Sequence, residues 1–171
     1  MNARLVTAPD DASLQSLSAQ LGERLRATRH MLVTAESCTG GWIAKAVTDV
    51  PGSSEWFDCG LAAYSYEAKQ ALLGVRPETL ERFGAVSRET VLEMVSGALV
   101  HSGASLSVAV TGIAGPGGGT EAKPVGTVWL ALADGSSAEA RRVQIPGDRH
   151  NVRVRAAQAA LAMLDRHLLQ R

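Results

Sequence analysis

The feature that most constrains the fold is the alternation of short apolar runs with longer stretches of helical periodicity. The apolar runs, which predict strands, lie at residues 31–34, 59–64, 106–110, 125–133 and 138–145. The last two flank Asp134-Gly135, a turn pair that predicts a hairpin. Strands separated by helices pair in parallel, whereas hairpin strands pair antiparallel. The sequence therefore predicts an α/β fold, a single-domain layered α/β/α sandwich with a mixed sheet.

Helical periodicity and capping residues predict the helices and the domain limits. The predicted helices run from a cap at Asp11 or Ser13 through Leu25, and over Trp42–Thr48, Glu67–Leu73, Glu78–Phe83, Arg88–Ser102 and about Asp148–Leu169. Ser87 is the predicted cap of the helix that begins at Arg88. Residues 1–11 are predicted to form a loose N-terminal tail, and residues 12–171 one domain.

The charge balance narrows the class of function. The chain has 171 residues, with 17 Lys+Arg against 17 Asp+Glu, so its formal net charge is zero. A neutral chain is a poor candidate for binding nucleic acid or an anionic membrane by bulk charge, so neither is an expected partner. Low net charge also favours self-association, and we expect a weakly held homo-oligomer.

Cysteine usage and hydropathy predict the compartment. Cys38 and Cys59 share no CxxC motif, which is typical of a reduced protein with free thiols rather than a disulfide framework or a zinc site. No apolar run approaches the roughly 18 residues of a membrane helix, and the N-terminus has no signal-peptide pattern. We therefore expect a cytoplasmic protein.

A first polar segment, Glu36 to Gly41, follows the first predicted strand and precedes a helix. A serine at this place, Ser37, can act as a nucleophile beside backbone N–H groups that stabilise developing negative charge. The candidate donors are the N–H groups of Cys38, Thr39, Gly40 and Gly41. Plain helix capping by serine or threonine is the commoner use of such a segment, so both interpretations stay open.

A second polar segment places Tyr64 at the end of a predicted strand and Lys69 on the following helical turn. A lysine in a dry environment acts as a general base, and a tyrosine hydroxyl can relay the proton. A half-exposed tyrosine beside a solvated lysine is the alternative.

A third polar segment runs from Thr111 to Thr120 and contains five glycines after a predicted strand. The candidate binding residues in this loop are Thr111, Gly112, Gly115, Gly117 and Gly118. Such a backbone can turn its N–H groups towards an anion, although neither the Walker nor the Rossmann fingerprint is present. A flexible surface loop is the alternative interpretation.

Metal ligands and histidines give little signal. The sequence has no HxH, no HExxH and no clustered carboxylates, so we expect no metal and no cofactor. A Ser-His-Asp triad stays open on residue order alone, although no histidine stands out from the others. Ligand sites in α/β folds gather at strand carboxyl ends, where all three polar segments are predicted to lie.

Five segments resemble one known family in order: TAESCTGGWIAKAVTDVPGSS, YSYEAKQALLGV, GAVSRET, VTGIAGPGGGTEAKPVGTV and GDRHNVRVRAAQAAL. The chain resembles the CinA C-terminal domain family of competence- and damage-inducible proteins, whose stand-alone members include nicotinamide-nucleotide amidases. The resemblance covers about residues 13–168. It implies hydrolysis of the carboxamide of nicotinamide mononucleotide, a small-molecule substrate, to nicotinate mononucleotide and ammonia.

The resemblance also implies roles for particular residues. Ser37 would be the nucleophile, with Tyr64 and Lys69 activating it. Thr111 and the glycine-rich loop would line the site, and Arg149, with Arg153 as a second candidate, would face the phosphate. The chain departs from the family at Tyr66, where the usual residue is Asn. Two other functions remain as alternatives: a pyridine-nucleotide-binding module without hydrolysis, and a partner protein in competence or the response to DNA damage.

Overall fold

The computed structural model describes residues 9–170, which form five strands and six α-helices. The strands are β1 (Leu32–Glu36), β2 (Phe57–Ala62), β3 (Leu106–Gly112), β4 (Thr127–Ala133) and β5 (Ala138–Gln144). The helices are α1 (Asp11–Thr28), α2 (Trp42–Thr48), α3 (Tyr66–Leu73), α4 (Pro77–Phe83), α5 (Arg88–His101) and α6 (Arg149–Leu169). Each predicted strand and helix is present, α2 with the predicted ends and the others with shifted ends.

The five strands form one mixed sheet in the order β2-β1-β3-β4-β5. Strand β1 pairs in parallel with both β2 and β3, and all five of its residues are buried. Strand β4 pairs antiparallel with β3 and, across the predicted hairpin, with β5. The predicted mixed sheet is therefore confirmed.

Two helical layers cover the sheet. Helices α1, α2 and α6 pack on one face, and α3, α4 and α5 pack on the other. Successive residues of β3 point to opposite layers, so Val108 and Val110 belong to the first core and Ala109 to the second. Helix α5 lies so close to the end of α3 that a Cβ on Gly97 would clash with the carbonyl oxygen of Leu73. The predicted α/β/α sandwich is confirmed.

The N-terminal end of α1 differs from the prediction. The cap is Asp10, whose carboxylate accepts a hydrogen bond from the backbone N–H of Ser13 at 2.8 Å, so neither Asp11 nor Ser13 is the cap. Asp11 is the first residue of the helix. The predicted tail otherwise falls mainly on residues 1–8, which lie outside the described residues.

Two strand ends differ from the prediction in ways that affect the site. Strand β2 ends at Ala62, so Tyr64 lies in the loop that follows rather than in the strand. Strand β3 continues to Gly112, so Thr111 and Gly112 are strand residues, and the glycine-rich loop begins after them.

The carboxyl end of β1 lies where the chain turns to different sides of the sheet. From β1 the chain passes to β2 on one side, and later returns to β3 on the other. Open α/β sheets bind ligands at this kind of switch point. The fold therefore places the residues after β1 at the most favourable position for a site.

Two further observations concern the predictions on self-association and on the membrane. Ala156, Ala157 and Ala160 of α6 are buried in the protein's own core, so they offer no surface for a second copy. Within residues 9–170, no helix is both long enough and apolar enough to cross a membrane.

Candidate active site

Ser37 lies in the turn between β1 and α2. Its backbone N–H donates to the carbonyl oxygen of Val110 in β3 at 2.9 Å, which ties the turn to the sheet. Its Oγ atom lies 2.9 Å from the Nζ atom of Lys69, 32 residues further along the chain. The fold therefore brings together two residues that the sequence predicts to carry the chemistry.

Lys69 is an amine buried among hydrogen-bond acceptors. Only 1% of the residue is exposed, and its Nζ also lies 2.9 Å from the carbonyl oxygen of Ala63 and 3.1 Å from that of Tyr64. A neutral amine has two N–H donors and one lone pair. The two carbonyls match the two donors, which leaves the lone pair to accept the hydroxyl proton of Ser37.

Burial also changes the acidity of this amine. It lowers the pKa of Lys69 to about 8, because the charged ammonium loses its hydration. In the described part of the chain, no carboxylate forms an ion pair with Lys69 that would oppose this effect. Lys69 therefore has the geometry and the acidity of a general base for Ser37.

Tyr64 contacts Lys69 through its backbone rather than its side chain. The carbonyl oxygen accepts from Nζ, whereas the hydroxyl group accepts from Nη2 of Arg149 at 2.9 Å. The ring is 60% exposed, and within residues 9–170 its hydroxyl has no hydrogen bond to Ser37 or Lys69. The structure therefore brings Tyr64 to the site but does not place its hydroxyl as a proton relay.

Arg149 connects the tyrosine to the glycine-rich loop. Its Nη1 donates to the carbonyl oxygen of Gly115 at 2.8 Å, while Nη2 donates to Tyr64. Its side chain lies at the first turn of α6 and is exposed. The segments around Ser37, Tyr64, Gly115 and Arg149 thus form one connected region, as predicted.

Glu36 is a buried carboxylate that the sequence analysis does not assign. It is 1% exposed and accepts from the backbone N–H groups of Gly41 at 3.1 Å, Ile43 at 3.0 Å and Ala44 at 2.8 Å. Gly41, the N-cap residue, has a φ of +95° and no side chain to serve as a cap. Glu36 therefore caps α2 from the end of β1, a role that the sequence analysis gave to serine or threonine.

The four predicted oxyanion donors divide into two pairs. The N–H of Gly40 donates to the carbonyl oxygen of Ser37 at 3.0 Å, and that of Gly41 donates to Glu36. Both are therefore already occupied. The N–H groups of Cys38 and Thr39 have no acceptor among the residues that the structure describes. These two groups are the remaining candidates.

The Cys38 side chain plays no part in this chemistry. It is 4% exposed and belongs to the hydrophobic core. Burial raises the pKa of the Cys38 thiol to about 12, so the nucleophilic thiolate is absent near neutral pH. Its contribution to the turn is through its backbone.

Arg153 hydrogen-bonds to the backbone of the turn that follows Ser37. Its Nε donates to the carbonyl oxygen of Cys38 and its Nη2 to that of Thr39, both at 3.0 Å. The guanidinium also lies over the Trp42 ring, 5.1 Å from its centroid. The prediction that Arg153 faces a phosphate therefore has no support from the side-chain contacts.

The residues from β3 onwards serve different purposes. Thr111 donates its hydroxyl proton to the carbonyl oxygen of Ala85 at 2.8 Å. Gly112 packs against β4, because a Cβ there would lie 2.8 Å from Cγ2 of Val128. Gly115 is buried, whereas Gly117 and Gly118 are exposed. Only the exposed part of the loop is free to meet a ligand.

Tyr66 and the histidines complete the inventory of the site. The Tyr66 hydroxyl accepts from the backbone N–H of Ala85 at 3.2 Å, so the side chain braces the loop before α5. The side chain within hydrogen-bonding distance of Ser37 Oγ is that of Lys69 rather than of a histidine. Within the described residues, no group of three or more His, Cys, Asp or Glu side chains is arranged to hold a metal ion.

The site residues lie in one continuous match to a known domain. The model of the CinA C-terminal domain matches residues 14–168. The chain belongs to the CinA C-terminal domain family. The matched range includes Ser37, Lys69, Arg149 and Arg153, so the family extends over the whole connected region described above.

Named relatives of this CinA-family chain are similar over nearly their full length. It is 50% identical to the nicotinamide-nucleotide amidohydrolase PncC of Escherichia coli K12 over 161 residues, which cover 94% of this chain and 98% of the relative. It is 52% identical to the enzyme of the same name from Pseudomonas putida over 148 residues, covering 86% and 92%. The crystal structure of the competence/damage inducible protein CihA from Agrobacterium tumefaciens superposes with a TM-score of 0.88 at 42% identity, covering 95% and 98%.

The sequence did not predict the contacts in which the side chains of Glu36 and Arg153 hydrogen-bond to backbone groups of the turn and of α2. Glu36 stands inside the quoted motif, yet its cap acts on residues five to eight positions later. Arg153 reaches carbonyl oxygens more than a hundred positions away in this CinA-family chain. The predicted strand ends at residue 34, which places Glu36 in the polar segment after it, and no sequence signal points to either contact.

Proposed function

We propose that this protein hydrolyses the carboxamide of nicotinamide mononucleotide to nicotinate mononucleotide and ammonia, with Ser37 as the nucleophile. Two relatives at 50% and 52% identity bear the name of that activity. The observation that carries the mechanism is the 2.9 Å contact between Ser37 Oγ and the buried amine of Lys69.

The first step forms an acyl-enzyme. Neutral Lys69 takes the hydroxyl proton of Ser37 while Oγ attacks the amide carbon, which gives a tetrahedral oxyanion. The free N–H groups of Cys38 and Thr39 stabilise that negative charge. The ammonium of Lys69 then returns its proton to the amide nitrogen, and ammonia leaves as the carbon–nitrogen bond breaks.

The second step releases the product and restores the enzyme. Lys69, neutral again, removes a proton from a water molecule that attacks the acyl carbon. The ester bond to Ser37 breaks, and its oxygen recovers the proton from Lys69. The carboxylic acid gives up its proton, so the net reaction consumes one water and yields a carboxylate and an ammonium ion, without a cofactor or a metal ion among the participants.

Arg149 supplies local positive charge for the anionic nucleotide. A guanidinium has five N–H donors, and two of its nitrogen atoms are engaged with Tyr64 and Gly115. Because the side chain is exposed, the remaining donors are open to solvent and to a phosphate. The exposed part of the glycine-rich loop, Gly117 and Gly118, lies on the same connected region.

Product formation distinguishes this function from nucleotide binding without hydrolysis. Proton NMR of nicotinamide mononucleotide incubated with the protein is expected to show nicotinate mononucleotide, with one ammonia per product. Calorimetry on the same sample measures binding independently. Binding without product would contradict the hydrolytic function and support the binding module.

Two broader predictions accompany the function. The thiols of Cys38 and Cys59 are both free, as is usual in a reducing compartment, which supports a cytoplasmic location. The zero net charge supports a weakly held homo-oligomer, which light scattering over a range of protein concentrations tests.

A further inference from the structure

The side chain of Arg153 contacts the carbonyl groups of the turn between β1 and α2, which carries Ser37. Its Nε and Nη2 atoms donate to the carbonyl oxygens of Cys38 and Thr39. The Trp42 ring supports the guanidinium from one side, and a Cβ on Gly40 would lie only 3.3 Å from Nη2. The arginine of α6 therefore fits the backbone of this turn closely.

The peptide groups that Arg153 contacts lead directly to the two free N–H groups. The carbonyl of Cys38 and the N–H of Thr39 belong to the same peptide group. The carbonyl of Thr39 shares a peptide group with the N–H of Gly40, which donates to the carbonyl oxygen of Ser37 at 3.0 Å. That carbonyl shares its peptide group with the N–H of Cys38. Two hydrogen-bonded chains thus start at one guanidinium and end at the two unoccupied donors.

Such chains strengthen the donor at their end. A hydrogen bond from a cation is shorter and stronger than a neutral one. Each hydrogen bond in a chain polarises the next one and strengthens it, by about 10–30% per bond in condensed phases. A peptide whose carbonyl accepts from a guanidinium therefore presents a more positive N–H, and its orientation is fixed as well.

We propose that Arg153 is a positioning residue that orients and polarises the Cys38 and Thr39 N–H groups as the oxyanion hole of this enzyme. The inference rests on the proposed amidohydrolase function and extends it to a residue that does not touch the substrate. It replaces the prediction that Arg153 binds the phosphate. The two roles have opposite kinetic consequences, because an oxyanion hole acts in the transition state and a phosphate site acts already in the bound substrate.

Steady-state kinetics of Arg153→Gln separate the two roles. We expect kcat to fall about tenfold with KM nearly unchanged, since the donors remain but are weaker, whereas loss of an oxyanion donor outright costs about 100- to 1,000-fold. Arg166→Gln, an exposed arginine at the other end of α6, is the matched control and is expected to keep both constants. A rise in KM with an unchanged kcat would overturn the proposal.

A second variant tests the geometry of the contact. Arg153→Lys keeps the charge but replaces the planar guanidinium by a single ammonium group. Its kcat is expected to lie between that of the wild type and that of Arg153→Gln. A third variant, Arg153→Ala, removes the guanidinium. The space that it leaves adjoins an open cavity of about 300 Å³, which Thr39 and Trp42 also line. Added guanidinium ion at a non-denaturing concentration is expected to restore part of kcat, and methylammonium less. Equal effects of the two ions would contradict the proposed role.

A measurement without substrate keeps this inference separate from the proposed function. In ¹⁵N-labelled protein, the amide proton signals of Cys38 and Thr39 are expected to move upfield in Arg153→Gln and Arg153→Lys, and to stay in Arg166→Gln. If the wild type shows no turnover, the proposed function fails, yet these signals still test Arg153. Unchanged Cys38 and Thr39 signals in both Arg153 variants would overturn the inference.

Discussion

At the scale of one residue, burial gives Lys69 the properties that the proposed base requires. The side chain loses its hydration in the core, and its Nζ donates to Ser37 Oγ and to two main-chain carbonyls. In the neutral amine, the two carbonyls match the two remaining N–H groups and the lone pair is left for Ser37. A solvated lysine would be almost fully protonated at neutral pH, because its usual pKa is about 10.4. The same side chain in the core is partly neutral and therefore reactive.

The pH dependence of kcat/KM tests this account of Lys69. The pKa of the amine is lowered to about 8, so protonation disables the base below that value. We expect kcat/KM to rise about tenfold per pH unit below pH 8, to bend there and to reach a plateau above it. The rate is measured by ammonia release over a buffer series at constant ionic strength. A flat profile through this range would show that Lys69 does not act as the base.

Glu36 caps the start of α2, and its replacement measures how much this cap contributes to the free energy of unfolding. Glutamine keeps the shape but supplies one acceptor oxygen, and its NH₂ group opposes a backbone N–H. Since the carboxylate is buried and accepts three N–H groups, Glu36→Gln is expected to lower the free energy of unfolding by about 1–3 kcal/mol. Urea unfolding is the measurement, with exposed Glu23→Gln as the control. Equal midpoints for the two variants would contradict the cap.

At the scale of elements, the contact between α3 and α5 holds Lys69 in its layer. The close approach at Gly97 leaves no room for a methyl group beside the Leu73 carbonyl. Gly97→Ala is therefore expected to lower the free energy of unfolding by about 1–3 kcal/mol or more, as overpacking does. Gly103→Ala is the control, because a Cβ there meets nothing within 4 Å. Thermal unfolding compares the two, and equal melting temperatures would show that α5 adjusts freely.

The elements also show what the sequence could and could not predict. Helical periodicity predicted α2 with its observed ends, and the preference of serine for the N-cap predicted Ser87 as the cap of α5. Both signals are local. The end of β2 was predicted two residues late, since Ala63 and Tyr64 continue the apolar pattern while their carbonyls turn towards Lys69. The Glu36 cap depends on β1 extending to residue 36 and on the turn that follows it, and the Arg153 contacts depend on the packing of distant segments. No local pattern contains either.

At the scale of the whole molecule, both helical layers contribute to one site at the carboxyl end of β1. Helix α3 brings Lys69 to Ser37 from one face of the sheet, and α6 brings Arg149 and Arg153 from the other. The zero net charge of the chain therefore conceals two guanidinium groups at this site, those of Arg149 and Arg153. Such placement suits a small anionic substrate rather than a polyanion.

The comparison of wild type with Ser37→Ala tests the central claim most directly. Ammonia release from nicotinamide mononucleotide is measured for both, with Ser16→Ala, an exposed serine of α1, as the matched control. We predict release by the wild type and by Ser16→Ala, and a rate lower by a factor of at least about 1,000 for Ser37→Ala, which lacks the nucleophile. Release by Ser37→Ala at the wild-type rate would contradict the account.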